Sequence, residues 1–307
     1  MNDTIARAIG RWKDLLPQLG VAPQYLVNRH GPCPICGGKD RFRFDDKNGS
    51  GSYFCNQCGP GTGIVLVQRV NGWTFRQAAD AVDALLGSLP ASAAAQPAKA
   101  PPSRQDRLAR VEAVLRDATE PGIVDAYLRR RGLNTFPAVL RGHAALPLHD
   151  ADGTFRACYP GMIAPVHGPD GSLRSAHRTY LADVEPRKKL MPPADDLRGG
   201  TIRLFEPGTL LGIGEGIETA IACHERFGVP VWAAISATIL EGFKPPPGVE
   251  RVIIFGDNDA SFAGQKSALV LAQRLVREGF AVEVMIPPET GTDWLDVHNA
   301  EGARHAG

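Results

Sequence analysis

Near the start of the chain, apolar residues recur at helical spacing. Ile5, Ile9, Trp12, Leu15, Leu16 and Leu19 would share one face of a helix over 5–19, which Pro17 should end or bend. Further on, Thr74 stands three residues before Gln77 and opens FRQAADAVDALL, a capping-box start to a helix that Gly87 can close. The first domain is therefore expected to span 1–87. Residues 88–104 are dominated by Ala, Pro and Ser, cannot pack a core and read as a flexible linker. Past it, Leu108 to Arg131 has a helical pattern broken at Pro121-Gly122. Short strand-like runs then alternate with turn signals, DADG at 150–153 and GPDG at 168–171, so 105–205 reads as α+β. From residue 209 the apolar runs TLLGI, VPVWAAI, RVIIFGD and AVEVMIP alternate with the amphipathic stretches IETAIACHERF and GQKSALVLAQRLVREG. This alternation predicts a parallel α/β sheet over 206–307.

Composition adds little until it is divided along the chain. The 307 residues are 43% hydrophobic and 22% charged, enough for two or three globular domains. There is no apolar run long enough to span a bilayer and no leader pattern at the N-terminus, so a cytoplasmic protein is expected. The net charge of +1 conceals opposite ends. Residues 1–87 carry 10 Lys/Arg against 7 Asp/Glu, residues 104–205 carry 16 against 12, and residues 206–307 carry 7 against 14. Basic segments attract phosphates, and an acidic segment beside the same substrate is reconciled with it by divalent cations.

Four of the six cysteines form two CxxC pairs, Cys33/Cys36 and Cys55/Cys58, separated by 18 residues. That spacing fits one tetrahedral zinc with no position left for water, hence a structural ion and not a catalytic one. His30 lies close enough in sequence to compete as a ligand, but four thiolates already saturate the metal. Between the knuckles, Lys39, Arg41, Phe42, Arg43 and Phe44, with Tyr53 just before the second pair, interleave cations and aromatics. Such a surface suits single-stranded nucleic acid, with Arg41 and Arg43 facing it, although the phenylalanines can equally be the filling of a small ribbon.

Functional groups of a parallel sheet gather beyond the carboxyl ends of its strands. Glu215 follows LLGIG, Asp257 and Asp259 follow VIIFG, and Asp293 and Asp296 follow a further strand, so these five carboxylates can meet at one edge. Converging carboxylates repel unless hard cations sit among them, and Mg²⁺ or Mn²⁺ is the expected catalytic metal. Two such ions would suit nucleotidyl transfer.

The stretch HGPCPICGGKDRFRFDDKNGSGSYFCNQCG resembles the zinc ribbon of phage- and plasmid-encoded primases. GEGIETA, GDNDASFAGQKSA and GTDWLDV, in that order, resemble the Toprim domain, and DAYLRRRGL resembles the motif that opens the core of bacterial DnaG-type primases. The resemblance implies α+β and α/β architecture: an N-terminal zinc ribbon with flanking helices, a basic α+β subdomain and a Toprim-type parallel sheet. It implies that Glu215, Asp257, Asp259 and Asp293 are catalytic and bind magnesium, with Asp296 a further ligand. Arg178, Lys188 and Lys189 would hold template or nucleotide phosphates. The family's usual aspartate after the glutamate is Thr219 here, so that position receives no metal role, and the roles of Glu218 and His177 stay open. The implied activity is a DNA primase making short RNA primers on single-stranded DNA from ribonucleoside triphosphates, in phage or plasmid replication. No GxxxxGK[ST] loop occurs, so a replicative helicase would be a separate chain. A Toprim nuclease and a non-catalytic single-stranded DNA-binding module are the alternatives.

Overall fold

A computed structural model of the protein describes residues 2–88, 102–150 and 154–305. Most of the expected linker, 89–101, and most of the DADG turn, 151–153, lie outside the described residues. The chain forms two compact units, one from residues before 102 and the other from Pro102–Leu148 with Arg156 onward.

The first unit opens with α1 (Asn2–Ala8) and α2 (Trp12–Gln18), two helices where one was expected. The break falls at Gly10, whose φ of +78° is a conformation glycine adopts without strain and whose amide donates to the Gly49 carbonyl at 2.7 Å. Pro17 lies in the last turn of α2, which ends at Gln18. The break puts the chain out of helical phase, so Trp12, Leu15, Leu16 and Leu19 are buried whereas Ile5 and Ile9 are exposed. Next comes an antiparallel sheet of β1 (Gly31–Cys33), β2 (Gly37–Phe44) and β3 (Tyr53–Cys55), in that order. The helices α3 (Gly63–Asn71) and α4 (Phe75–Ser88) complete the unit. The expected capping box opens α4: the Gln77 amide donates to Thr74 Oγ1 at 3.3 Å and the Thr74 amide donates to Gln77 Oε1 at 2.9 Å. Trp12, Phe42, Phe44, Tyr53, Leu66 and Val67 share one core. Gly63 opens α3 directly against the Trp12 indole, so close that a Cβ there would overlap the ring.

In the second unit α5 (Arg104–Asp117) starts on a Ser103/Asp106 capping box, and α6 (Pro121–Arg130) starts on Pro121. A four-stranded sheet follows, with β4 (Arg141–His149), β5 (Phe155–His167), β6 (Leu173–Tyr180) and β7 (Lys188–Leu190) neighbouring in chain order. Strand alternation gives it two buried faces. Ile163, Ala176, Tyr180 and Met191 pack with Val111 and Leu115 of α5, whereas Met162, Ala164 and Val166 join the larger core of the unit.

That larger core includes α7 (Ile217–Phe227), which follows β8 (Leu210–Gly214) and precedes β9 (Val231–Ala233). The chain continues through α8 (Ala237–Glu241), β10 (Arg251–Phe255), α9 (Ala263–Arg277), β11 (Ala281–Met285) and α10 (Trp294–His305). All three strand pairings are parallel, in the order β11-β10-β8-β9. Ile253 and Phe255 face α7 and α10. Leu211, Ile213, Val252 and Ile254 face α8 and α9 through Leu240, Leu271 and Leu275. The expected parallel α/β sheet is therefore present. Helices α8 and α10 were not legible as helices from the pattern. From β8 the chain first moves outward to β9 and then returns to the other side of β8 to form β10, so the strand order reverses between β8 and β10. Such a reversal opens a crevice at the carboxyl ends of those two strands.

No helix among the described residues is long and apolar enough to cross a membrane.

Candidate nucleic-acid and metal sites

The two CxxC turns bring four sulfurs together. Cys33, Cys36, Cys55 and Cys58 each offer an Sγ within 4.8 Å of the others, with Cys33 and Cys58 at 4.0 Å and Cys36 and Cys55 at 3.7 Å. A tetrahedral ion with metal–sulfur distances of about 2.3 Å needs sulfurs roughly 3.8 Å apart, so the donor set fits zinc. Backbone amides already point inward: Ile35 donates to Cys33 Sγ and Cys58 to Cys55 Sγ, both at 3.4 Å. Four crowded thiols cannot all ionise without a cation. Burial opposes ionisation of Cys55, but the amides of Cys58 and Gln57 outweigh it and hold that thiol at about 7. The hydrogen bond with Cys36, reinforced by burial, pushes Cys58 up to about 12. His30 is exposed and is not among the four clustered ligands.

On the ribbon, strand alternation divides the basic and aromatic residues. Phe42, Phe44 and Tyr53 point inward and are buried, Phe42 stacked on Tyr53 with ring centroids 5.3 Å apart. They are core and not a stacking platform. Arg69 of α3 clamps this side, donating to Tyr53 Oη at 3.0 Å and to the Cys58 carbonyl at 2.9 Å. Arg41 and Arg43 alternate with the two phenylalanines on β2. Arg43 lies across from Phe54, which is 44% exposed. Phe54 is the outward aromatic that sequence reasoning passed over. The signal was available, because Cys55 must point inward to the metal and its neighbour on the strand therefore points out. Lys39 is exposed, while Arg43 is partly engaged with Asp45 at 3.8 Å.

In the second unit, Glu215 follows β8 and Asp257 and Asp259 follow β10, at the reversal of strand order. The Glu215 carboxyl is pushed upward by burial and by Asp259. Asp257 rises from 3.8 to about 7, first through burial and then through Glu215, Asp293, Asp259 and Asp296. The other four expected carboxylates are thus within electrostatic reach of Asp257. Their oxygens do not close into a tight chelate like that of the cysteines. Asp257 Oδ1 is buried without a hydrogen-bond partner, and an orphaned acceptor among mutually repelling acids is what a divalent cation satisfies. The residues fit Mg²⁺ or Mn²⁺.

Asp293 and Asp296 also do structural work. The Asp296 amide donates to Asp293 Oδ1 and the Asp293 amide to Asp296 Oδ2, both at 3.0 Å, forming a reciprocal cap on α10. Asp296 is exposed, so its side chain is accounted for by this cap. Thr219 contacts Asp293 Oδ2 through Oγ1 at 3.5 Å, a donor where the resembling family has a carboxylate. Asp259 Oδ2 accepts from the Gly264 amide at 2.8 Å, and a Cβ on Gly264 would meet the Asp257 carbonyl at 2.8 Å, so only glycine allows α9 to start this close. Asn258, also unanticipated, ties the loops together. It donates from Nδ2 to the Pro287 carbonyl at 2.8 Å and accepts from Gln265 Nε2 at 2.8 Å.

The three basic candidates of the middle segment do not share a face. Lys188 pairs with Thr179, and Lys189 with Arg178. Alternation places Arg178 and Lys189 on the side that packs α5, and Arg178 is half-buried with its Nε unpartnered. Lys188 takes the other face, where its Nζ meets Glu218 Oε2 at 3.1 Å and its charge offsets part of the upward push on Glu215. His177 lies nearby, buried and held down at about 4 by desolvation and then by Lys188, so its ring stays neutral.

A pH dependence follows. Asp257 binds its proton more tightly in the folded chain, so the stability this contributes is complete below 3.8 and disappears as pH rises through about 7. The metal-free second unit should lose about 4 kcal/mol across that window. Added Mg²⁺ should raise its melting temperature by several degrees at pH 8 and very little at pH 5. Equal stabilisation at both values, by calorimetry, would show that Asp257 does not contribute to a cation site.

A family model described as the zinc-binding domain of primase-helicase matches residues 28–64, and a Toprim domain model matches 210–304. Residues 104–204 match a domain of unknown function. Among solved structures, the zinc-binding and RNA polymerase domains of the Aquifex aeolicus primase share 16% identity, with 90% of this chain and 76% of that one covered and a TM-score of 0.46. A DNA primase domain from Pseudomonas aeruginosa shares 17% over 65% of this chain and 77% of that one, TM-score 0.46. The primase fragment of the bacteriophage T7 primase-helicase shares 16% over 91% and 97%, TM-score 0.39. The chain thus joins a segment matching the zinc-binding domain of primase-helicase, on the four-sulfur ribbon, to a Toprim domain on the acid-edged parallel sheet.

Proposed function

We propose that this protein synthesises short RNA primers on single-stranded DNA from ribonucleoside triphosphates, serving the replication of a phage or plasmid alongside a separately encoded helicase. The observation that carries this reading is the set of carboxylates at the strand-order reversal, with an orphaned acceptor on Asp257 and an ammonium, Lys188, beside Glu215. Held at Glu215, Asp257, Asp259 and Asp293, Mg²⁺ or Mn²⁺ would supply charge stabilisation for the attacking 3′ hydroxyl and the leaving pyrophosphate. Lys188 holds nucleotide phosphate at the edge of that cluster. Arg178 and Lys189, on the other face of the sheet, fit a template-strand contact better than a nucleotide one. The corresponding division of labour is 1–87 for template binding, 88–104 as linker, 105–205 as the basic part of the core and 206–307 as the catalytic part. Incubation with single-stranded DNA, labelled ribonucleotides and Mg²⁺ tests it. Oligoribonucleotide products support the reading, shortened DNA would instead indicate a Toprim nuclease, and bound but unchanged DNA a non-catalytic binding module.

On the ribbon, Phe54 stacks a template base between the phosphate contacts of Lys39, Arg41 and Arg43. Phe54→Ala should weaken single-stranded DNA binding about ten-fold, the worth of one stacked base, without lowering the melting temperature, because the ring is exposed. Unchanged affinity by fluorescence anisotropy would remove Phe54 from the interface.

A further inference from the structure

Glu218 is a buried carboxylate outside the set expected to bind metal. It sits in the first turn of α7, 5% exposed, and each of its oxygens is taken: Oε1 accepts from Tyr127 Oη of α6 at 2.7 Å and Oε2 from Lys188 Nζ of β7 at 3.1 Å. Arg187 extends the chain of contacts, donating to Tyr127 Oη at 3.4 Å with its guanidinium 5.6 Å from the ring centroid. A carboxylate placed there only for the helix dipole would have no reason to lie under two other elements. Burial alone would push Glu218 up, yet Lys188 and the Tyr127 hydroxyl reverse this and hold it at about 2, so it remains an anion at any working pH.

The asymmetry of the pair indicates its purpose. The Glu218 side chain is 6% exposed and that of Lys188 is 49% exposed, so the anion is fixed inside the fold and the cation stands at its surface. An ammonium carries three donors, of which Glu218 takes one. A lysine on a four-carbon stem is otherwise a mobile point charge. Here it is anchored from below by a carboxylate in the first turn of α7, three residues along the chain from Glu215.

We infer that Glu218, braced by Tyr127, is a positioning residue that fixes the Lys188 ammonium near Glu215, so that its outward donors meet a phosphate of the incoming nucleotide. This rests on the reading that Lys188 holds nucleotide phosphate. Glu218 touches no substrate and acts only through the lysine.

The test is equilibrium binding of ATP with Mg²⁺, together with the KM for ribonucleotide and kcat in primer synthesis. Glu218→Gln preserves shape and the acceptor for Tyr127 but loses the charge that holds Lys188. It should weaken ATP binding and raise KM about ten-fold, with kcat changed less than two-fold and single-stranded DNA affinity unchanged. Lys188→Met should do the same, and the double variant should be no worse than Lys188→Met alone, because both changes remove one interaction. Tyr127→Phe, which leaves the ion pair intact, should shift binding two- to three-fold at most. Additive effects in the double variant, or wild-type ATP affinity in a folded Glu218→Gln protein, would overturn the inference while leaving primer synthesis standing. A wild-type protein that binds ATP but makes no primers would overturn the proposed reaction instead, and the binding cycle would still decide Glu218. A protein that binds no ATP would overturn both.

Discussion

Asp257→Asn is expected to reduce primer synthesis at least 1,000-fold, equivalent to about 4 kcal/mol of transition-state stabilisation, while leaving single-stranded DNA binding within two-fold of wild type. Asp257 lies two residues beyond β10, at the reversal of strand order, and feels the other four carboxylates, so it is the acid whose charge is most strongly opposed until a cation is present. The same substitution should stabilise the metal-free second unit at pH 8. A carboxyl held at about 7 carries an unfavourable charge there, and asparagine does not. Activity and stability therefore move in opposite directions, which a structural role for Asp257 does not produce, since loss of a structural acid lowers both. Retained synthesis in a folded Asp257→Asn protein would remove the carboxylate cluster from the chemistry. A lowered melting temperature at pH 8 would contradict the electrostatics of the site.

The signals that survived from sequence to structure were local ones. Cys33, Cys36, Cys55 and Cys58 were legible because two short turns and one metal fix the spacing of their ligands, whatever the rest of the chain does. The β8, α7, β10 and α9 pattern was legible because buried parallel strands and amphipathic helices differ in period over their whole length. Helix α3 was missed because GIVLVQRV is rich in β-branched residues and Thr62 makes no side-chain cap, so its helicity comes from Ile64, Leu66 and Val67 packing into the ribbon core. Helix α10 was hidden because its first turn, Asp293 to Asp296, read as metal-binding acids when it is also a cap.

At the sites, what could not be read was direction across distance. Lys188 and Lys189 are adjacent in sequence and equal in chemistry, and only the register of β7 against β6 sends one towards Glu215 and the other to the face covered by α5. The Tyr127, Glu218 and Lys188 contacts join positions 91 and 30 residues apart, which no local pattern encodes. Phe54 differs. It could have been found from strand alternation alone, once Cys55 was assigned to the metal.

Removal of the zinc ligand Cys36 should have the largest effect on the first unit. Its core is small and shares Cys33 and Cys55 with the metal site, so ligation and folding are the same event there. A structural zinc bound by cysteines contributes about 10–16 kcal/mol at neutral pH, more than a small domain's whole stability. Cys36→Ser should therefore release the metal, expose residues 28–64 to protease and weaken single-stranded DNA binding at least 100-fold. The Mg²⁺-dependent stabilisation of the second unit should persist, because none of its carboxylates belongs to the ribbon. Cys158→Ser, an exposed cysteine outside the cluster, serves as the control and should retain one zinc per chain. Elemental analysis decides the matter. One zinc per chain in Cys36→Ser would show that the ligand set is wrong, whereas zinc loss with intact DNA binding would show that the ribbon is not the template-binding surface.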